Sequence, residues 1–103
     1  WEKAKAFDGS AAVSKFFPLA TIGKDIQDIN FHLNINGTTV QSGSTANMLF
    51  SVDEIISHVS KYFTLKTGDL IFTGTPAGVG RVEREDLLEL FLEEERVFYF
   101  NVK

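Results

Sequence analysis

Asp69-Leu70-Ile71-Phe72-Thr73-Gly74-Thr75-Pro76-Ala77-Gly78-Val79-Gly80 is the stretch on which the reading of this chain turns. Its opening apolar run, short and bounded by turn residues, reads as a buried strand. That strand then breaks into three glycines, a proline and two threonines within eight residues. Glycine permits positive φ and close approach of the backbone, and Pro76 fixes one φ and removes a donor. The two threonine hydroxyls and the free N–H groups suit an anionic ligand, but a Gly/Pro cluster is equally the mark of a plain turn. The loop does not end in Gly-Lys-Ser/Thr and does not follow Gly-x-Gly-x-x-Gly, so it is neither a P-loop nor a dinucleotide fingerprint. Spacing alone leaves turn and ligand loop both open.

The remainder of the chain sets bounds on that loop. A length of 103 residues allows one domain, and 44% hydrophobic content with ten phenylalanines can form a core. A net charge of −4, with the acidity gathered between Glu83 and Glu95, argues against a nucleic-acid partner. No cysteine is present, so disulfides and thiolate metal sites are excluded. A reducing compartment fits, and the expected location is cytoplasmic. No apolar run reaches the length of a membrane span, and no membrane partner is expected.

Upstream, Trp1 and Phe7 read as core anchors around the turn signal Asp8-Gly9, with Phe16 and Phe17 extended before Pro18. Lys3 and Lys5 sit two apart and share a face on an extended chain. Flanked by Ala4, Ala6 and Phe7, one of them can be desolvated enough to serve an anionic ligand. Phe31, Leu33 and Ile35 alternate with His32, Asn34 and Asn36, and Asn36-Gly37 is the preferred pair for a type I′ turn, so a hairpin is expected over 29–41. His32 falls on its polar side as a solvated strand residue. Residues 41–48 are small and polar and read as a loop, either a connector or a pocket cover. Ser51-Val52-Asp53-Glu54 is a capping box, and Val52, Ile55, Ile56, Val59 and Phe63 have helical spacing, so a packing helix follows. Toward the C-terminus, Glu85 to Glu95 can be read as an acidic helix, but the alternation of Leu88, Leu90 and Leu92 favours two antiparallel strands joined around Glu93, Glu94 and Glu95. The expected class is mainly β with one helix, α+β.

The order of these segments resembles the C-terminal part of the fumarylacetoacetate hydrolase family over nearly the whole chain. The residues that carry the resemblance are Trp1-x-x-Ala4-Lys5-x-Phe7-Asp8, Asn36-Gly37 and Gln41-x-Gly43-x-Thr45-x-x-Met48-x-Phe50, followed by Ile55-Ile56-Ser57, Thr64-Leu65-x-x-Gly68-Asp69 and the run from Leu70 to Gly80. The pattern is most like the short members: acylpyruvate hydrolases, oxaloacetate decarboxylases, and the isomerases and hydratases of aromatic-acid breakdown. The resemblance implies a mixed β-roll of which residues 1–103 form the C-terminal half, a homodimer, and a Mg²⁺ or Mn²⁺ ion acting on 2-oxo acids. The chemistry it implies is C–C cleavage or an enol–keto shift through an enolate, with the cation as Lewis acid. Lys5 matches the active-site lysine, Thr75 matches the threonine that binds the substrate carboxylate, and Gly74 allows the close approach. The metal ligands implied, a Glu-x-Glu pair and an aspartate, lie upstream of Trp1, and no metal ligand is expected in residues 1–103. The chain taken alone is therefore expected to be inactive. The reading from another class is an interaction domain that keeps the fold without the site.

Overall fold

Alternating side chains build the centre of the molecule. The computed structural model describes residues 11–103, and Trp1, Phe7 and the Asp8-Gly9 turn lie outside them. Strand β1 (Asn30–Ile35) turns through Asn36 (φ 52°) and Gly37 (φ 83°) into β2 (Thr38–Ser44). Two consecutive positive φ values are what a type I′ turn requires. Strands β3 (Leu87–Leu92) and β4 (Glu95–Asn101) form a second hairpin, with Glu93 at φ 55° in its two-residue turn. The sheet order is β2-β1-β3-β4 and every pairing is antiparallel. The mainly β class and both hairpins are as the alternation predicts.

Register decides the two faces, because residues opposite one another in a ladder share a face. Phe31 lies opposite Leu92, Leu33 opposite Leu90 and Ile35 opposite Leu88, while Leu90 and Leu88 face Phe98 and Phe100 across the next pairing. That is the apolar face. The other face carries Glu89, whose carboxylate lies 2.9 Å from Arg96, and Arg96 in turn covers the Tyr99 ring at 4.2 Å. His32 belongs to this polar face but is half-buried: its ring stacks on Phe91 with centroids 4.3 Å apart.

Both ends of the β1–β3 ladder are closed by an asparagine. The Asn36 backbone N–H donates to the Leu87 carbonyl (2.9 Å), and its side-chain Oδ1 accepts from Leu87 N–H (2.9 Å) while Nδ2 donates to Asp86 Oδ1 (2.9 Å). At the other end Glu93 N–H donates to the Asn30 carbonyl (2.7 Å), Asn30 N–H donates to Glu93 Oε1 (3.1 Å), and Lys24 Nζ lies 3.0 Å from the same carboxylate oxygen. The Asp86 carboxyl is held below the ordinary carboxylate range by the Glu83 N–H first and the Asn36 amide second. The Glu93 carboxyl is lowered by the Asn30 N–H and then by Lys24, and the same contact raises Lys24. Hydrogen bonds made to the charged form favour that form in each case.

Two short helices accompany the four strands. Helix α1 (Leu19–Ile22) follows Pro18 and stops at Gly23, whose φ of 75° lies in the left-handed region. Sequence periodicity did not predict it, since a single turn is too short to show a period. Helix α2 (Val52–Ser60) starts as expected: Ser51 Oγ accepts from Glu54 N–H (3.1 Å), and Glu54 Oε1 accepts from Ser51 N–H (3.1 Å). It ends before Phe63. The last turn tightens, Lys61 N–H bonding the His58 carbonyl and Tyr62 N–H the Val59 carbonyl, and Phe63 stands 69% exposed. Among the described residues the one buried hydrophobic side chain is Ile29, 6% exposed, at the entry to β1.

Two expectations fail here. Residues 69–72 form no strand among the described residues, and Leu70, Ile71 and Phe72 are exposed. An apolar run becomes a buried strand only when a neighbouring strand accepts its ladder, and none of the four strands does so. Residues 41–44 are not a loop: β2 runs through Ser44 because β1 supplies its partner, Gly43 lying opposite Phe31 and Ser44 opposite Asn30. Only Thr45–Asn47, a 3-10 turn capped by the Ser44 hydroxyl on Ala46 N–H, departs from the strand.

Candidate functional site

The loop 73–80 lies against β2, and the contact has a local cause. The β1–β2 register shifts between Leu33 and Asn34, where Leu33 pairs with Gln41 but Asn34 pairs with Thr39, leaving Val40 as an extra residue. Such a bulge kinks the strand and re-aims the residues beside it. Gln41 is thereby presented to the loop. Its Nε2 donates to Thr75 Oγ1 (3.0 Å) and to the Pro76 carbonyl (3.2 Å).

Glycines make the rest of the contact possible. Gly78 has φ 105°, and a Cβ built on it would meet the Val40 carbonyl oxygen and come within 2.9 Å of Gln41 Cγ. Gly43, two residues beyond Gln41 on the same strand face, would place a Cβ 2.9 Å from Phe31 Cζ and 3.4 Å from Pro76 Cβ. The missing side chain at Gly43 is thus the space that Phe31 and Pro76 share. Gly74 is different: its φ is 99°, yet nothing lies within 4 Å of the Cβ position. Gly80 has neither a positive φ nor a crowded Cβ position. The expectation of backbone freedom at all three loop glycines therefore holds at two of them.

Between the loop and the β2 end lies an open cleft of about 470 Å³, within the size range of small-molecule sites. Thr73, Gly74, Thr75 and Pro76 line one side; Ser42, Ser44, Thr45 and Asn47 bring small polar groups, and Met48, Phe50 and Ile55 apolar ones. The segment 41–48, which composition left open between connector and pocket wall, lines the cleft. It is fixed from behind by Gln27. That side chain donates to the Thr45 carbonyl (3.2 Å) and accepts from Val52 N–H (2.6 Å), joining the 3-10 turn to the start of α2, while Thr45 Oγ1 accepts from Ile29 N–H (2.9 Å).

Of the residues assigned from sequence, Gly74 and Thr75 stand together in the cleft wall, and Lys5 lies outside the described residues. Gln41 was quoted for its place in a motif and given no role. The signal that would have found it is the Gln41-x-Gly43 spacing: read as strand rather than loop, the two residues share a face and both reach residues 75–76. Among the described residues no group of three or more His, Asp or Glu side chains could hold a metal ion. The described residues do not by themselves hold the Mg²⁺ or Mn²⁺ ion implied by the resemblance, which puts its ligands upstream of Trp1, and no step of chemistry runs through one. Among the described residues no helix is long and apolar enough to cross a membrane.

Comparison with known proteins finds relatives that cover most or all of the chain. The chain is 47% identical over 88 residues to the oxaloacetate tautomerase YcgM of Escherichia coli, covering 85% of this chain and 40% of that protein. It is 43% identical over 103 residues to the mitochondrial oxaloacetate tautomerase FAHD1 of Mus musculus, covering 100% of this chain and 46% of the relative. A crystal structure of a fumarylacetoacetate hydrolase family protein from Yersinia pestis superposes with a TM-score of 0.92 at 43% identity, covering 100% of this chain and 46% of the other. Maleylpyruvate hydrolase from a Sphingobium species, solved in complex with manganese(II) and pyruvate, matches at TM-score 0.73 and 27% identity, covering 81% of this chain and 31% of that one. The chain thus spans less than half the length of these relatives. The family model for the C-terminal part of fumarylacetoacetate (FAA) hydrolase matches residues 1–98, and the chain belongs to that family.

Proposed function

We propose that this chain forms the carboxylate-binding wall of an enzyme that acts on 2-oxo acids, with an enol–keto shift of a substrate such as oxaloacetate as the favoured reaction. The observation that carries the reading is Thr75: it lines the cleft beside a glycine at φ 99°, and its hydroxyl accepts a hydrogen bond from Gln41. A hydroxyl backed by an amide donor offers its own proton to an anionic oxygen, and a charge-assisted hydrogen bond of this kind is roughly twice as strong as a neutral one. Gly74 has no Cβ to keep a ligand away from the backbone. Lys5, on the family resemblance, supplies the positive charge beside the oxygen that becomes anionic in the enolate. The relatives named as oxaloacetate tautomerases support the reaction class, and the relative solved with manganese(II) and pyruvate supports a divalent cation and a 2-oxo acid ligand. The cation's ligands belong to residues other than the described ones. A homodimer is part of the same proposal.

The test is turnover of oxaloacetate by the complete protein with Mg²⁺ or Mn²⁺ present. Thr75→Val removes the donor and keeps the shape, so kcat/KM falls by roughly 10- to 100-fold, the equivalent of about 1.5–3 kcal/mol for a hydrogen bond to a charged group. Unchanged kcat/KM after Thr75→Val would refute the role. The second reading is a non-catalytic interaction domain that keeps the fold without the site. It predicts no metal-dependent turnover of any 2-oxo acid by the complete protein.

A further inference from the structure

We infer that Gln41 is a positioning residue that fixes the direction of the Thr75 hydroxyl proton and so makes the cleft favour a carboxylate over an uncharged amide. The inference rests on the reading of Thr75 as a carboxylate ligand and goes beyond it. The two contacts of Gln41 determine the amide orientation between them. The Pro76 carbonyl can only accept a hydrogen bond, so the group facing it at 3.2 Å is the NH₂ and not the amide oxygen. The same nitrogen reaches Thr75 Oγ1 at 3.0 Å. Its two protons are thereby divided between the two oxygens, and Thr75 Oγ1 is an acceptor in this bond.

A threonine hydroxyl has one proton and two lone pairs. With one lone pair engaged by Gln41, the proton is free for another acceptor, and among the described residues Thr75 Oγ1 makes no other hydrogen bond. Thr75 is one of the residues that line the cleft. Thr75 therefore meets a ligand as a donor. Either oxygen of a carboxylate accepts from it in a charge-assisted bond roughly twice as strong as a neutral one, whereas an amide can offer only its neutral carbonyl oxygen, and its NH₂ in the same place would confront a donor with a donor. Gln41 can perform this role because it is held. The Val40 bulge presents it, its side chain is half-buried, and Gly78 lies against its Cγ.

The experiment measures, by titration calorimetry on the complete protein saturated with Mn²⁺, the affinities for pyruvate and for its uncharged amide, pyruvamide. In Gln41→Ala the hydroxyl turns freely, and the preference for pyruvate over pyruvamide falls about 3-fold. In Gln41→Glu the near-isosteric carboxylate accepts the Thr75 proton and reverses the bond, and the preference falls at least tenfold. That order, the better-fitting variant having the larger effect, is opposite to what a packing role would give. The added charge of Gln41→Glu acts on any anion, so the same substitution is repeated in the Thr75→Val background. There the drop shrinks to the part due to charge alone, and the difference between backgrounds is the coupling between the two residues. Equal drops in both backgrounds, or a larger effect of Ala than of Glu, overturn the inference about Gln41 while leaving the carboxylate reading intact. If Thr75→Val alone leaves pyruvate affinity unchanged, the carboxylate reading itself fails and the inference with it.

Discussion

Replacing Gly78 by alanine tests how the loop is held on the sheet. The new Cβ faces two objections in the native position. The φ of 105° is a region that side chains other than glycine rarely occupy, costing about 1–3 kcal/mol. The methyl also meets the Val40 carbonyl oxygen and Gln41 Cγ at 2.9 Å, and overpacking of this kind costs about 1–3 kcal/mol. Staying in place thus costs roughly 2–6 kcal/mol on these two estimates together. The alternative is for the loop to lift off β2. That gives up the two Gln41 hydrogen bonds, about 1 kcal/mol each, and frees residue 78 to take a negative φ. Because Ala77, Gly78 and Val79 are exposed, nothing above the loop resists the movement. Lifting is therefore the cheaper route, and the expected loss is about 2 kcal/mol, with the damage confined to the loop.

Two measurements on the complete protein check this. Urea unfolding gives the loss of stability, and ¹⁵N-resolved NMR of the Gln41 side-chain NH₂ reports whether its two bonds survive. In Gly78→Ala those resonances move to the position of a solvated amide. Gly74→Ala is the control: its φ of 99° imposes a backbone cost, but no atom lies within 4 Å of the new methyl. The Gln41 signals should therefore stay where they are. Stability within about 0.5 kcal/mol of the parent in Gly78→Ala, the ordinary scatter of surface substitutions, together with unmoved Gln41 resonances, would refute the account of how the loop is seated.

Gly80→Ala should be nearly silent, within about 0.5 kcal/mol by urea unfolding, because its φ is not positive and its Cβ position is open; a loss above that range would show a constraint that the described residues do not contain. The pH dependence follows from Asp86, whose folded pKa is depressed by the Glu83 N–H and the Asn36 amide. A depressed carboxylate contributes stability that is present above its unfolded pKa and is lost as pH falls through the folded one. The parent should therefore lose stability on acidification below about pH 4 more steeply than Asp86→Asn, as read from urea midpoints; parallel curves would remove Asp86 from the account.

What could be read from the sequence divides along a physical line. Phe31, Leu33 and Ile35 in β1 and Leu88, Leu90 and Leu92 in β3 were legible because each strand shows its own period, and the Asn36-Gly37 turn because its φ requirement is local. The capping box was legible for the same reason. Residues 69–72 and 41–44 were both misread, in opposite directions, and for one cause. Whether a segment is a strand depends on a partner elsewhere in the chain. Leu70, Ile71 and Phe72 have the composition of a strand and no ladder among the described residues, whereas Ser42, Gly43 and Ser44 have the composition of a loop and a ladder supplied by β1. Thr75 and Gly74 were found through family resemblance, not spacing. Gln41 was missed because its role depends on the Val40 bulge, and a bulge is a property of the pairing between two strands rather than of either sequence.

The bulge also explains why a site can be built at this place in the sheet. β2 is the outermost strand of the described sheet, and its far edge carries backbone groups that no strand pairs. A regular edge offers a uniform row of such groups and no single point of attachment. The extra residue at Val40 breaks that uniformity, turning its carbonyl toward Gly78 and presenting Gln41 to Thr75 and Pro76. Two residues on, Gly43 leaves room for Pro76 beside the Phe31 ring. The loop is thus fixed at three points by side chains and spaces that a strand of ordinary register would not supply, and Thr75, exposed between them, is held in position without being buried. That combination suits the carboxylate-binding role proposed for Thr75: its location is set by the sheet, while among the described residues its proton has no partner.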